Sequence, residues 1–256
     1  MLQAFRLLSK LRLEANTSGA CAMALLTTCL SLTACGDFRT ASDCLISGNQ
    51  YFASKDYQHA AAEYRLALKR DATSSTALNN LGVVLNELGN YDEAAQILQQ
   101  AIKLDPKNQI ALYALARAQT HLKKYDEAIE NANKAVVLGP EELAAHRALA
   151  EACFAAGHMP EAIDQYRYIT KTDSDDDQAH QFLGEALLKS GDKDGSIAEL
   201  KRALELKPDN VDARKSYAAA LFDKGDKAGA IAEIDTLLKE KPNDAALKEL
   251  RGSYEK

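Results

Sequence analysis

The side chains able to do chemistry in this sequence are few: a run of carboxylates, two evenly spaced histidines and five cysteines. Asp173, Asp175 and Asp177 alternate as the first ligands of a calcium loop do. Such a loop then needs a glycine for its sharp turn and a bidentate glutamate at its far end. Gln178 and Gly184 stand in those places, so the run reads as a solvated acidic turn. His146 and His180 occupy equivalent places in the chain and would lie about one helix spacing apart, ~10 Å. No further ligands stand near them, and they read as partly buried structural histidines. None of the cysteines forms a C-x-x-C pair of the kind that holds structural zinc. Cys153 reads as a small buried hydrophobe. There is no glycine-rich phosphate loop ending in Gly-Lys-Ser/Thr, no H-E-x-x-H and no G-x-S-x-G. We therefore expect no catalytic residues, no metal, no cofactor and no enzyme.

Cys35 is different because of what precedes it. No charged residue lies between Glu14 and Asp37, and the apolar run ACAMALLTTCLSL fills residues 20–32 behind Arg6, Lys10 and Arg12. A membrane-spanning helix needs about 20 predominantly apolar residues. Asn16 to Gly19 interrupt this run upstream, and hydroxyl residues interrupt it from Thr27 onward. Its length and flanks fit a secretory signal peptide. The closing Leu32-Thr33-Ala34-Cys35 resembles the bacterial lipobox. That resemblance implies cleavage of residues 1–34, acylation of Cys35 and a short linker over 35–40. An uncleaved anchor or ordinary secretion stays open, as does a disulfide from Cys35 to Cys44 should Cys35 not be alkylated. Loss of residues 1–34 would make the chain's net charge of −6 two units more negative. An acidic surface of that kind disfavours nucleic acid as a partner.

The elements that must position any site follow from a period of 34 residues. Gly48, Gly82, Ala116, Ala150, Gly184 and Ala218 keep that spacing without an insertion, and so do Ala60, Ala94, Ala128, Ala162, Ser196 and Ala230. Pro106, Pro140, Pro208 and Pro242 mark unit ends. Each unit reads as two helices. In the second, Leu78, Leu81 and Leu85 form one apolar stripe, ended at Gly89. Ala94, Ile97, Leu98 and Ala101 form another. The small residues Gly82 and Ala94 are expected to let the paired helices approach closely. Neither helix buries its stripe alone, so the units must stack. Six units are expected, at 41–74, 75–108, 109–142, 143–176, 177–210 and 211–244. A capping helix over 245–256 would cover the end with Leu247, Leu250 and Tyr254.

Leu81-Gly82, Leu183-Gly184, the Gly89/Tyr91/Ala94 core and Pro106 closely resemble the tetratricopeptide repeat (TPR) pattern. The resemblance implies an all-α fold, a right-handed α-solenoid of helix–turn–helix repeats whose first helices line a concave groove. It also implies which side chains face that groove. In the first half these are Asn49, Asn79, Asn80, Asn86, Tyr113, Arg117 and Arg147. In the second half they are Glu151, Gln178, Gln181, Phe182, Glu185, Asp212, Lys215 and Phe222. Asparagine and arginine suit an extended peptide, whose backbone or carboxylate they can bond. The family's carboxylate clamp is broken, because Leu45, Ile110 and Ala114 stand at its cationic positions.

The expected function is a non-catalytic interaction scaffold. It would be anchored to the bilayer through Cys35 on the periplasmic side of a bacterial envelope, with the outer membrane favoured by Gly36. The layout is similar to pilotin-type lipoproteins of type IV pili and to lipoproteins of the tight-adherence pilus. Three alternatives stay open: a regulator or partner subunit of cell-wall or polysaccharide-export enzymes, a self-associating repeat protein, and a cytoplasmic adaptor if the lipobox is unused.

Overall fold

The computed structural model describes residues 39–255. Residues 1–34 and Cys35, to which the signal and lipidation readings refer, lie outside the described residues. Among the described residues there are thirteen helices and no strand. They form successive pairs: α1 (Ala41–Ala53) with α2 (Tyr57–Arg70), α3 (Ser75–Glu87) with α4 (Tyr91–Leu104), and α5 (Gln109–His121) with α6 (Tyr125–Leu138). Next come α7 (Leu143–Ala156) with α8 (Met159–Thr172), α9 (Asp177–Ser190) with α10 (Lys193–Leu206), and α11 (Val211–Lys224) with α12 (Lys227–Glu240). A last helix, α13 (Ala245–Glu255), packs on α12. No helix among the described residues is long and apolar enough to cross a membrane.

The turn inside each pair is set by one backbone conformation. Its residue is Lys55, Gly89, Lys123, Gly157, Gly191 or Gly225, all with φ between 61° and 98°. That left-handed geometry ends the first helix and reverses the chain. The turn between pairs is set by a cap. The side chains of Ser74, Asn108, Asp176 and Asn210 each accept the backbone N–H of the residue three positions on, opening α3, α5, α9 and α11.

In the first, second and fifth pairs, packing between the two helices puts a glycine opposite a large residue. A Cβ added at Gly82 would overlap the Leu98 side chain, and one at Gly48 or Gly184 would overlap Tyr64 or Leu200. The close approach expected at Gly82 is made against Leu98, and Ala94 is fully buried in the same pair. Tyr64, Leu98, Leu200 and the equivalent Tyr166 are fully buried there. The core runs along the stack in local clusters, because each helix touches only its near neighbours.

Candidate functional site

The first helices α1, α3, α5, α7, α9 and α11 line one face, and the residues named from the sequence fall into three groups on it. The first group is interior. Asn79 and Asn86 are buried at 7% and 5% exposure and Gln181 at 8%, too little for open groove donors. Asn79 exchanges two hydrogen bonds with Asn108, both at 3.1 Å, and Asn86 donates to the Ala114 carbonyl at 2.8 Å. Gln181 accepts from Asn210 at 2.9 Å. Arg147 repeats the motif by pairing with Asp176. In three pairs, therefore, a polar residue on the first helix ties down the residue that caps the next pair. These side chains hold the stack in register. The periodic polar residue at each unit's end was the signal that would have revealed this partner.

The second group forms a pocket across α1, α3 and α5. Asn49, Phe52, Tyr64, Asn80, Val83, Ile110 and Tyr113 line a cavity of about 320 Å³. Asn49 Oδ1 accepts from the buried Tyr64 hydroxyl at 2.8 Å and from Asn80 Nδ2 at 3.0 Å. This uses one polar atom of each amide and leaves Asn49 Nδ2 as a donor and Asn80 Oδ1 as an acceptor on residues that line the pocket. Phe52 and Ile110 are exposed beside them. Tyr64 comes from α2, a second helix, and was missed for that reason. Burial raises the phenol pKa of both Tyr64 and Tyr113, so neither ionises near neutral pH.

The third group is charged and lies further along the groove. Arg117 bonds Glu87 through both terminal nitrogens at 3.3 Å, and its Nε lies 3.9 Å from Glu151. Desolvation holds the Glu151 carboxyl above its ordinary pKa, against the pull of Arg117 and Arg147. Glu185 accepts from Gln181 at 3.0 Å and from Ser216 at 2.9 Å. Phe182 stacks on Tyr166 with centroids 5.8 Å apart and meets Phe154 edge-on at 6.4 Å. Toward the end, Lys215 and Asp212 form a solvent-exposed ion pair at 3.7 Å, while Gln178 is exposed. Phe222 stacks on Tyr254 of α13.

Both histidines have structural partners. His146 bonds Gln165 and the Pro140 carbonyl, and His180 bonds Glu199 and the Ser174 carbonyl. Asp173, Asp175 and Asp177 flank the turn into α9, where Asp175 pairs with Arg202 at 3.1 Å. Burial pushes the Cys153 thiol up to about 11, so it stays protonated at neutral pH.

The model of the tetratricopeptide repeat matches residues 47–109, 87–142 and 113–177, and a second model of the same repeat matches 187–254. The chain belongs to the tetratricopeptide repeat family. No curated protein matches it. Among solved structures, this TPR chain is similar to a thermophilic TPR protein of Thermus thermophilus. Identity is 28%, with a TM-score of 0.57 over 71% of this chain and 98% of that one. It is also similar in fold to YrrB, described as a TPR protein with an unusual peptide-binding site. There identity is 17% and the TM-score 0.60, over 74% of this chain and 97% of that one. A TPR protein from Parabacteroides merdae matches at 17% identity and a TM-score of 0.63, over 84% of each chain. TPR proteins are in general non-catalytic scaffolds, and the fold suits a protein or peptide partner.

Proposed function

We propose that this TPR protein is a non-catalytic scaffold whose groove receives an extended segment of a protein partner. The observation that carries this reading is the pocket of α1, α3 and α5. It offers an apolar cavity of about 320 Å³ beside one amide donor and one amide acceptor. An extended peptide presents that combination, a side chain flanked by an unpaired N–H and C=O. The peptide-binding site named for YrrB supports the same use of the architecture. In this reading Cys35 is acylated and holds the repeats on the periplasmic side of a bacterial envelope, where the partner belongs to a pilus, secretion or envelope-assembly system.

Two experiments test the two halves. A photo-crosslinking amino acid placed at Asn80, in the groove, should trap a discrete partner in intact cells, whereas one at Lys201, exposed on α10, should not. Equal trapping from both positions overturns the groove reading. Labelling with a palmitate analogue should mark the wild type in the membrane fraction and leave Cys35→Ser unmarked and soluble. An unlabelled, soluble wild type overturns the anchor.

A further inference from the structure

The charged stretch of the groove is not neutral, and its imbalance has a direction. Two guanidinium groups, Arg117 and Arg147, and the Lys189 ammonium over Phe154 stand against four carboxylates: Glu87, Glu151, Asp176 and Glu185. Arg117 is shared between Glu87 and Glu151, and Arg147 is engaged by Asp176. The sequence alone offers both arginines to a partner's carboxylate. The structure shows each already facing an acid of its own chain, so an incoming carboxylate would have to compete with it. Negative charge is what remains in excess. Desolvation raises the Glu151 pKa, so a cation placed beside it would favour its charged form, and Glu185 takes its two hydrogen bonds from the neutral groups of Gln181 and Ser216.

Both carboxylates act electrostatically on Tyr166, which belongs to an aromatic cluster. Phe182 sits half-buried over the Tyr166 ring, beside Phe154. Aromatic faces flanked by carboxylates suit a guanidinium or ammonium group, which stacks on the ring while its N–H groups reach the acids. The chain's own Lys189, one turn beyond Glu185, holds its ammonium 4.1 Å from the centre of the Phe154 ring.

We propose that the wall formed by Glu151, Phe182 and Glu185 receives an arginine or lysine side chain, so that the groove's partner is an extended basic segment. The inference rests on the groove reading above and names the chemistry of its occupant. It also sets a spacing. The apolar pocket is centred on α3 and the aromatic–acidic wall lies between α7 and α9. At 8–10 Å per neighbouring helix, the two are roughly 20–25 Å apart. An extended chain covers that distance in about six or seven residues. The segment would thus carry an apolar residue and, about six positions away, a cation.

The test uses the full chain and fluorescein-labelled peptides with a leucine, five serine or threonine residues and a seventh residue that is varied. Anisotropy should report the arginine peptide about tenfold tighter than its neutral citrulline counterpart, and the glutamate peptide weakest. The arginine preference should shrink in high salt. In a Glu151→Gln/Glu185→Gln variant of unchanged helicity and melting temperature, arginine and citrulline peptides should bind alike. Glutamate or citrulline binding as tightly as arginine in the wild type overturns the inference and leaves the groove reading standing. So does an arginine preference that survives in the double variant. Failure of every peptide to bind overturns both.

Discussion

Lys55 and Lys123 hold a backbone conformation that four other turns of the same kind assign to glycine. Both have φ of 61°, where a side chain bearing a Cβ crowds the carbonyl that follows it. The conformation is imposed by the turn and not chosen by lysine, because the equivalent Gly89, Gly157, Gly191 and Gly225 adopt it as well. Glycine at those positions meets nothing within 4 Å of where a Cβ would stand, so the turns have space for a side chain and the cost is conformational. Lys55→Gly and Lys123→Gly should each stabilise the protein, by about 0.5–1 kcal/mol. This is the relief of left-handed strain, ~1–2 kcal/mol, less the greater backbone freedom glycine has when unfolded. Urea unfolding of each single variant checks this. A lower midpoint for either would mean that the lysine side chain makes a contact worth more than the strain.

At the scale of the helix pair, stability depends on matched volumes across the two helices. Gly82 lies against Leu98, whereas the third pair solves the same problem with Ala116 and Ala132, all four residues being buried. Gly82→Ala alone should destabilise by about 1–3 kcal/mol, because its methyl group overlaps Leu98. Leu98→Ala alone should cost about 2–5 kcal/mol through the cavity it leaves. The double variant reproduces the third pair's combination, so it should be more stable than the sum of the single effects predicts. A double-mutant cycle showing strict additivity would contradict the proposed volume match. This is also the scale at which the sequence was most legible. A small residue every 34 positions, with apolar stripes on either side, implies paired helices that must stack, and the helices of the structure are arranged in that way. The groove was harder to read. An amide that faces a ligand and an amide that bridges two pairs have the same residue type and the same helical register. Asn79 and Gln181 bridge, through Asn108 and Asn210, whereas Asn49 and Asn80 border a cavity. The pocket needed Tyr64 as well, a residue whose periodicity marks it as core and whose hydroxyl alone reaches the groove.

Over the whole molecule, the pattern of contacts is nearly one-dimensional. Each helix packs against the helices next to it in sequence, and some first helices also touch the first helix of an adjoining pair, so the end of the stack depends on whatever covers it. At the α11–α12 end that cover is α13. Its Leu247 and Tyr254 are buried at 2% and 7% exposure in one cluster with Ala218, Ala230, Ile234 and Leu237, and Tyr254 stacks on Phe222 at 4.6 Å. Further back along the stack, buried clusters run from one pair to the next and polar ties such as Arg147–Asp176 add to them, whereas the last pair has α13 on its outer side. Leu247→Ala should therefore open the structure from this end. The expected cost is about 2–4 kcal/mol, confined to the last pair. Hydrogen exchange should show amides of α11 and α12 losing protection while those of α3 and α4 keep theirs. If protection fell equally throughout, the stack would be a single cooperative unit. The charged wall at α7 and α9 would then be coupled to this end rather than insulated from it by the pairs between.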